Sequence, residues 1–501
     1  MDEIKKIVII GGGIAGLTAG VYARKAGFIA EIYEKNGIVG GECTGWDRKG
    51  YHIDNCVHWM MGTTPGTALY ELWKTVGAVG PDIEIIQSDR MYTSELNGQS
   101  LTLWKDADRT EREMLALSPS DKDEILRLMK YVRLSEHITI PVETPPELMG
   151  PMDGLKLAFT MQNALKLFKE FAGTDTQDLM NRFKHPLIRC LISDFCPKDS
   201  QGASFPMAYG NFIGGDGGVP RGGSRALAKR MQERFEQLGG TIHVNASVSK
   251  ILLDGHGHAT GILLDDERKV TADYVIPACD ADFTFGRLLD RSYMGDLMRS
   301  MYESPDAYKI YGMFQVAFAV DSPIDALQGE IMMETSGMAS EPWFSDRMTV
   351  KNFAYEPDFA PADRQILQVM WGLSDQAYGY WEALYKDKAA YDARKQELAK
   401  IIQRRLEERF PDYKGKLTVL DTWTPVTYHR YCNAYKGYNQ AFTITKRSAK
   451  NPYPSAWLDG LDNVVLAGQW INPPGGLPGA AATGKYAIQR ILKKEGRKFR
   501  F

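Results

Sequence analysis

The sequence predicts an α/β protein, with a Rossmann-like dinucleotide-binding domain built from separated segments and interleaved with an α+β domain. Three observations carry that prediction. The 501-residue chain opens on IVIIGGGIAGLTAGVYARKAGFIAEIYEK, where an apolar run meets a glycine cluster, a helical pattern and a second apolar run ending on an acid. Two further glycine-rich islands follow, around residues 214–223 and 468–479. Between the islands the composition shifts toward Met, Phe, Tyr and Trp and lacks phosphate-type loops. This alternation assigns residues 1–70, 205–285 and 455–501 to the dinucleotide-binding domain. Residues 71–204 and 286–454 form the second domain, with a helical segment near 151–200.

Ile7 to Ile10 read as a short buried strand. Gly11, Gly13 and Gly16 then stand at the G-x-G-x-x-G spacing, with Gly12, Ile14 and Ala15 completing the turn into a helix. The first glycine permits a tight turn, the second lets a pyrophosphate approach bare backbone, and the third lets the helix pack closely on the strand. The helix start faces the phosphates with free N–H groups and the positive end of its dipole. Glu34 closes a second strand-like run, Ile29 to Tyr33, eighteen residues after Gly16. There it can accept hydrogen bonds from a ribose diol and disfavour a 2′-phosphate. Lys35 follows it and joins the expected cofactor contacts.

Further along, Gly40 and Gly41 would again bring bare backbone close to a ligand, and Asp54 closes another strand-like segment. In the middle island Ser224 is expected to cap a helix whose Leu227, Met231, Phe235 and Leu238 share one face, ended by Gly239 and Gly240. TIHVNASV reads as β-like, and SKILLD, ATGILLDD and KVTADYVIPA read as a three-stranded meander. The last island again reads strand, glycine-proline loop, helix. Recurrence of glycine at 214–223 and 468–479 is what an elongated cofactor lined by distant segments would require.

The chain carries 60 Lys and Arg against 63 Asp and Glu, well mixed, which excludes a nucleic-acid-binding surface. Six cysteines are scattered without a C-x-x-C pair or zinc spacing, so no metal is expected. With no secretory signal before the first strand, a reducing cytoplasm is the expected location. No apolar run reaches the ~18 residues needed to span a bilayer. Residues 155–172, LKLAFTMQNALKLFKEFA, place Leu155, Phe159, Leu165, Phe168 and Ala172 near one stripe among Lys156, Lys166 and Lys169. That pattern suits peripheral contact with a membrane, and equally an internal helix packed on the core.

The opening fingerprint, the GG after the ribose acid, GYHIDNCVHWMMG, VPRGGSRALAKRM, DTWTPVTYHRYCNAYKGYNQAF and LAGQWINPPGGLPGAAATG occur together and in order. The chain thereby resembles FAD-dependent oxidoreductases of the phytoene desaturase, carotenoid isomerase and retinol saturase group, within the flavin amine oxidase-like superfamily. The resemblance implies an FAD-binding domain of the glutathione-reductase type. It implies that Gly11, Gly13 and Gly16 cradle the pyrophosphate, Glu34 holds the adenosine ribose, and Gly40 and Gly41 pass along the ribityl-diphosphate. Val248 would contact the adenine side through its backbone, while Gly468, Gly476, Leu477 and Pro478 meet the flavin end. Two positions depart from the group's pattern: Glu42 stands where Arg or Lys is usual after the GG, and Gln469 where an acid is frequent after the AG.

Hydride exchange between carbon and a flavin asks the protein for little beyond a shaped apolar slot. His58, Trp59 and Trp470 lie in motifs that the resemblance places beside the flavin, and His58 could move a proton near neutral pH. The expected activity is desaturation, saturation or isomerisation of C–C or C=C bonds in a lipophilic, isoprenoid or polyene substrate. A flavin amine oxidase acting on a C–N bond and a non-catalytic isoprenoid-binding escort protein are the alternatives. With one complete nucleotide-binding unit in the sequence, NADH and NADPH are expected to be poor reductants, and the electron partner is open.

Overall fold

The computed structural model describes residues 4–323, 327, 329–448, 450 and 453–499. The parts of the predicted domains at 1–3, 324–326, 328, 449, 451–452 and 500–501 lie outside the described residues. Strand β1 (Lys6–Ile10) is the centre of a parallel sheet, because Ile7, Val8 and Ile9 are wholly buried and need cover on both faces. It pairs in parallel with β2 (Ile29–Tyr33) on one side and with Tyr274–Pro277 on the other, and Thr241–His243 completes the sheet beside β2. Between β1 and β2 runs helix α1 (Ile14–Lys25). A Cβ on Gly16 would stand 2.0 Å from the Gly11 carbonyl oxygen, so α1 can seat only on a glycine. The C-terminal helix Gly476–Lys494 crosses α1 just as closely, with Gly484 against the Ala15 carbonyl.

Three expectations along this half are corrected. KVTADYVIPA divides in two: Lys269–Thr271 ends the antiparallel meander begun by Val248–Leu253 and Ala259–Leu264, and Tyr274–Pro277 crosses to β1. Tyr274, Val275 and Ile276 form a continuous buried run, which suits a sheet covered on both faces better than a meander exposed on one. TIHVNASV is a strand over Thr241–His243, and Asn245 turns the chain at φ 52° before the next strand begins at Val248. Ser224 does not cap its helix. The helix Gly223–Gln237 begins one residue before it, and the buried Asp54 carboxylate accepts from both Ser224 N–H and Ser224 Oγ at 2.6 Å. An ionised acceptor at a helix N-terminus is stronger than a hydroxyl.

The other half of the molecule is organised on a seven-stranded mixed sheet, ordered Leu417–Trp423, Tyr311–Val320, Gln365–Ser374, Phe344–Asn352, Glu330–Glu334, Arg90–Leu96 and Gln99–Trp104. Side chains alternate across it with period two. Phe314, Val316 and Phe318 pack beneath it on Trp371, Trp381 and the long helix Lys388–Arg409. Met313 and Gln315 point to the opposite face, toward the parallel sheet. A helical cluster between residues 107 and 213 covers the far edge, with its own core around Leu128, Phe183, Phe205 and Tyr209.

Candidate active site

A cavity of about 580 Å³ lies between the carboxyl end of the parallel sheet and the open face of the seven-stranded sheet. Ligands of open α/β sheets bind at that end of the strands. One wall is backbone. Gly11, at φ 103°, turns the chain out of β1, and Gly13, Ile14 and Ala15 present the uncapped start of α1. Gly40 folds over this turn, its N–H donating to the Gly12 carbonyl at 2.8 Å, and Gly41 lies 3.4 Å from Gly13 when given a Cβ. At the other end of the cavity are Gly468, Gly476, Leu477 and Pro478, where the Gly476–Lys494 helix starts with its first N–H donating to Gln469 Oε1 at 3.2 Å.

Of the predicted site residues, all but Gly12 and Gly16 line this cavity. Gly16 seats α1, and Gly12 donates its N–H to Glu34 Oε2 at 2.8 Å. Glu34 is buried, with its other oxygen held by Asn36 N–H at 2.8 Å, so the carboxylate is oriented before any ligand arrives. Lys35 contributes its stem; its ammonium donates to Asn433 Oδ1 and the Arg430 carbonyl. Val248 begins its strand on the same side of the cavity as Ser247 and Glu34. The loop at 214–223 does not line the cavity. It stands behind the wall, where Gly218 pairs with Met60 and Asp54 takes the helix N-terminus that a phosphate would otherwise need.

These residues fit a dinucleotide. A Cβ added to Gly13 would meet no protein atom nearer than the Gly40 carbonyl oxygen at 3.9 Å, so this backbone faces open space. The uncapped start of α1 gives the cavity a region suited to negative charge.

The facing wall is made of side chains. Met91, Met313, Met332 and Met370 come from four different strands of the large sheet, and Met60 and Met61 join them from the loop after Asp54. Trp59 packs beside Phe195 with ring centroids 6.2 Å apart, and Trp470 meets Phe442 edge-on at 5.4 Å. His58 Nδ1 lies 2.7 Å from Glu330 Oε1, which is also 3.2 Å from Lys351 Nζ. Burial would push the Glu330 carboxyl up, but the charges and hydrogen bonds of His58 and Lys351 override it and hold the group at about 2. Burial likewise works against the Lys351 ammonium, and Tyr355 and Glu330 outweigh it, raising the group above the ordinary lysine value. With Glu330 ionised, Nδ1 of His58 carries the hydrogen of that contact, and the His58 side chain lines the cavity. Sequence reasoning did not find Glu330, Lys351 or the strand methionines. The available signal was the two-residue spacing of Met313 with Gln315 and of Glu330 with Met332, which puts each pair on one face.

The flavin containing amine oxidoreductase family matches residues 14–492. The chain belongs to that family. As a flavin containing amine oxidoreductase family member it is an enzyme, an FAD-dependent oxidoreductase. It is 25% identical to the chloroplastic prolycopene isomerase of Arabidopsis thaliana, over 99% of this chain and 84% of that protein. It is 24% identical to the lycopene-forming phytoene desaturase of a Paracoccus species, over 97% of both. Its fold is similar to that of an oxidoreductase from Methanosarcina mazei, with a TM-score of 0.61 at 18% identity, covering 97% of this chain and all of that one.

Proposed function

We propose that the protein acts on C–C or C=C bonds of a lipophilic isoprenoid or polyene, by desaturation, saturation or isomerisation. The observation that carries this reading is the wall opposite the glycines. Six methionines and two tryptophans offer a flexible, polarisable apolar surface around His58 and Glu330. The names of the two curated relatives point the same way.

In this reading Gly11, Gly13, Gly40 and Gly41 hold the pyrophosphate by backbone, and Glu34 takes the adenosine ribose. Val248 bounds the adenine, and Gly468, Gly476, Leu477 and Pro478 bound the flavin. Bound FAD supplies two-electron exchange with carbon. Trp59 and Trp470 exclude water from the slot, and His58 Nε2 accepts or returns a proton while Glu330 keeps the ring oriented. No second strand-turn-helix nucleotide unit is present among the described residues; the helix Ser204–Ile213, not a strand, precedes the 214–223 loop. That supports oxygen, a quinone or a protein carrier as the electron partner, or a redox-neutral cycle.

Anaerobic incubation with polyenes, retinoids, unsaturated fatty acids and amines tests the proposal, with flavin absorbance and chromatography of the products as readouts. Bleaching or double-bond change with a polyene or retinoid is the expected result. Reduction by amines alone would replace it with C–N oxidation.

Residues 155–172 support access from a membrane. The stripe breaks at Met161 into helices Pro151–Thr160 and Gln162–Glu170, and Leu155, Phe159 and Leu165 are 66%, 75% and 60% exposed. Exposed Lys156, Lys166 and Lys169 flank them, a composition suited to an anionic surface. No helix among the described residues is long and apolar enough to cross a membrane. Flotation with anionic vesicles is expected to carry the protein, and Phe159→Glu to abolish most of that binding.

A further inference from the structure

FAD brings a diphosphate into a cavity that is already acidic. Glu34, Glu42, Asp194, Asp280 and Glu330 all line it, and among the described residues Lys35 is its one lysine or arginine. Four of the five acids are accounted for. Asp194 is held by Arg347 at 2.6 Å, Glu330 by His58 and Lys351, and Glu34 by the N–H groups of Gly12 and Asn36. Asp280 starts a helical turn and accepts from Asp282, Phe283 and Tyr435 N–H groups. Glu42 is different. It follows Gly41 directly, beside the turn that closes over Gly13, so it lies where the chain passes the start of α1.

The groups facing Glu42 come from four segments, and none is a cation. Gln469 approaches from the last glycine island, Asp280 from the end of Tyr274–Pro277, Cys56 from the loop after Asp54, and Tyr428 with Cys432 from the helix Pro425–Cys432. Lys35 directs its amine to Asn433 and Arg430 instead. Gln469 is oriented by Gly476, whose N–H donates to Oε1 at 3.2 Å. Its amide nitrogen is therefore the atom left free to turn toward Glu42, beside which Gln469 lines the cavity. The two residues that depart from the pattern of the resembling group are thus partners in space.

We propose that Glu42 serves the cofactor as an uncharged hydrogen-bond donor, so that the protein takes up one proton per FAD bound in alkaline solution. The proposal rests on the placement of FAD in this cavity. The step is Glu42 carboxylate plus a proton plus FAD giving the Glu42 acid with FAD bound, its O–H directed to an oxygen of the ribityl-diphosphate. No electron moves. Burial, with Asp280 next to it, pushes the free acid up to about 8 even though Gln469 lowers it. A diphosphate alongside would push it further in the same direction. Below about pH 7, where Asp280, pushed up to about 7 by its own burial, is protonated as well, binding is pH-independent. Above about pH 8, each binding event must recruit a proton.

The experiment dilutes the holoprotein and measures FAD release by free-flavin fluorescence from about pH 6.5 to about pH 9.5. In the unaltered protein the FAD dissociation constant is expected to be flat on the acid side and to rise by about tenfold per pH unit on the alkaline side. Glu42→Gln is expected to remove the alkaline rise, and Asp280→Asn to retain it. A flat profile for the unaltered protein, an unchanged rise in Glu42→Gln, or loss of the rise only in Asp280→Asn would each overturn the proposal. Gly13→Val serves as the separate check on cofactor placement, since retention of FAD by that variant would remove the ground on which the proposal stands.

Discussion

The two walls of the cavity differ in what they present to a ligand: the parallel-sheet wall offers backbone, and the mixed-sheet wall offers side chains. Gly11, Gly13, Gly40, Gly41, Gly468 and Gly476 supply shape and N–H groups with nothing to titrate. Opposite them, half-buried His58 and Glu330 and buried Lys351 form a hydrogen-bonded polar group within a methionine-rich surface. The first wall suits an invariant cofactor, whose phosphates need donors at fixed positions. The second suits a substrate, because side chains can change while the strands that carry them stay in place.

The comparison breaks first at Gly13. Its φ of −73° is open to any residue, and a side chain there meets only the cavity, so Gly13→Val is expected to fold and to purify without flavin. Gly16→Ala puts a methyl group 2.0 Å from the Gly11 carbonyl and is expected to fail in folding instead. Circular dichroism together with the flavin-to-protein absorbance ratio separates the two outcomes.

A change on the facing wall should leave FAD in place and strike turnover. His58→Asn is expected to slow the reaction by about 10²–10⁴-fold, the usual worth of a positioned proton-transfer group, with full flavin content and a flattened pH profile. Equal turnover in the two proteins would reduce His58 to a structural hydrogen-bonder.

The third effect is on stability. Glu330→Gln leaves the Lys351 ammonium buried without its carboxylate and is expected to cost about 3–5 kcal/mol. Lys351→Met in the same protein should recover most of that loss, because the pair is then removed rather than broken. Urea denaturation of the single and double variants measures it, and a double variant as unstable as Glu330→Gln would show that the pair is not the source.

How far each region was legible follows from the same contrast. The glycine turn, α1 and Glu34 lie within one short stretch, and the backbone geometry they need admits few residue types, so their spacing was readable. His58 and Glu330 are 272 residues apart, and no local pattern announces that they meet. The 214–223 loop reads like a cofactor loop because glycine turns before helices look alike in sequence. Asp54, far away in the chain, already occupies that helix start.

By itself the sequence determined the α/β class and the dinucleotide turn, which depend on contacts between near neighbours, while FAD followed from the order of motifs along the whole chain. Tertiary structure decided which strand Tyr274–Pro277 joins, which face of the 155–172 stripe meets solvent, and which acids end without a cation. Those outcomes depend on burial and on charges brought together from distant segments, and periodicity is the same whether an apolar face meets a core or water.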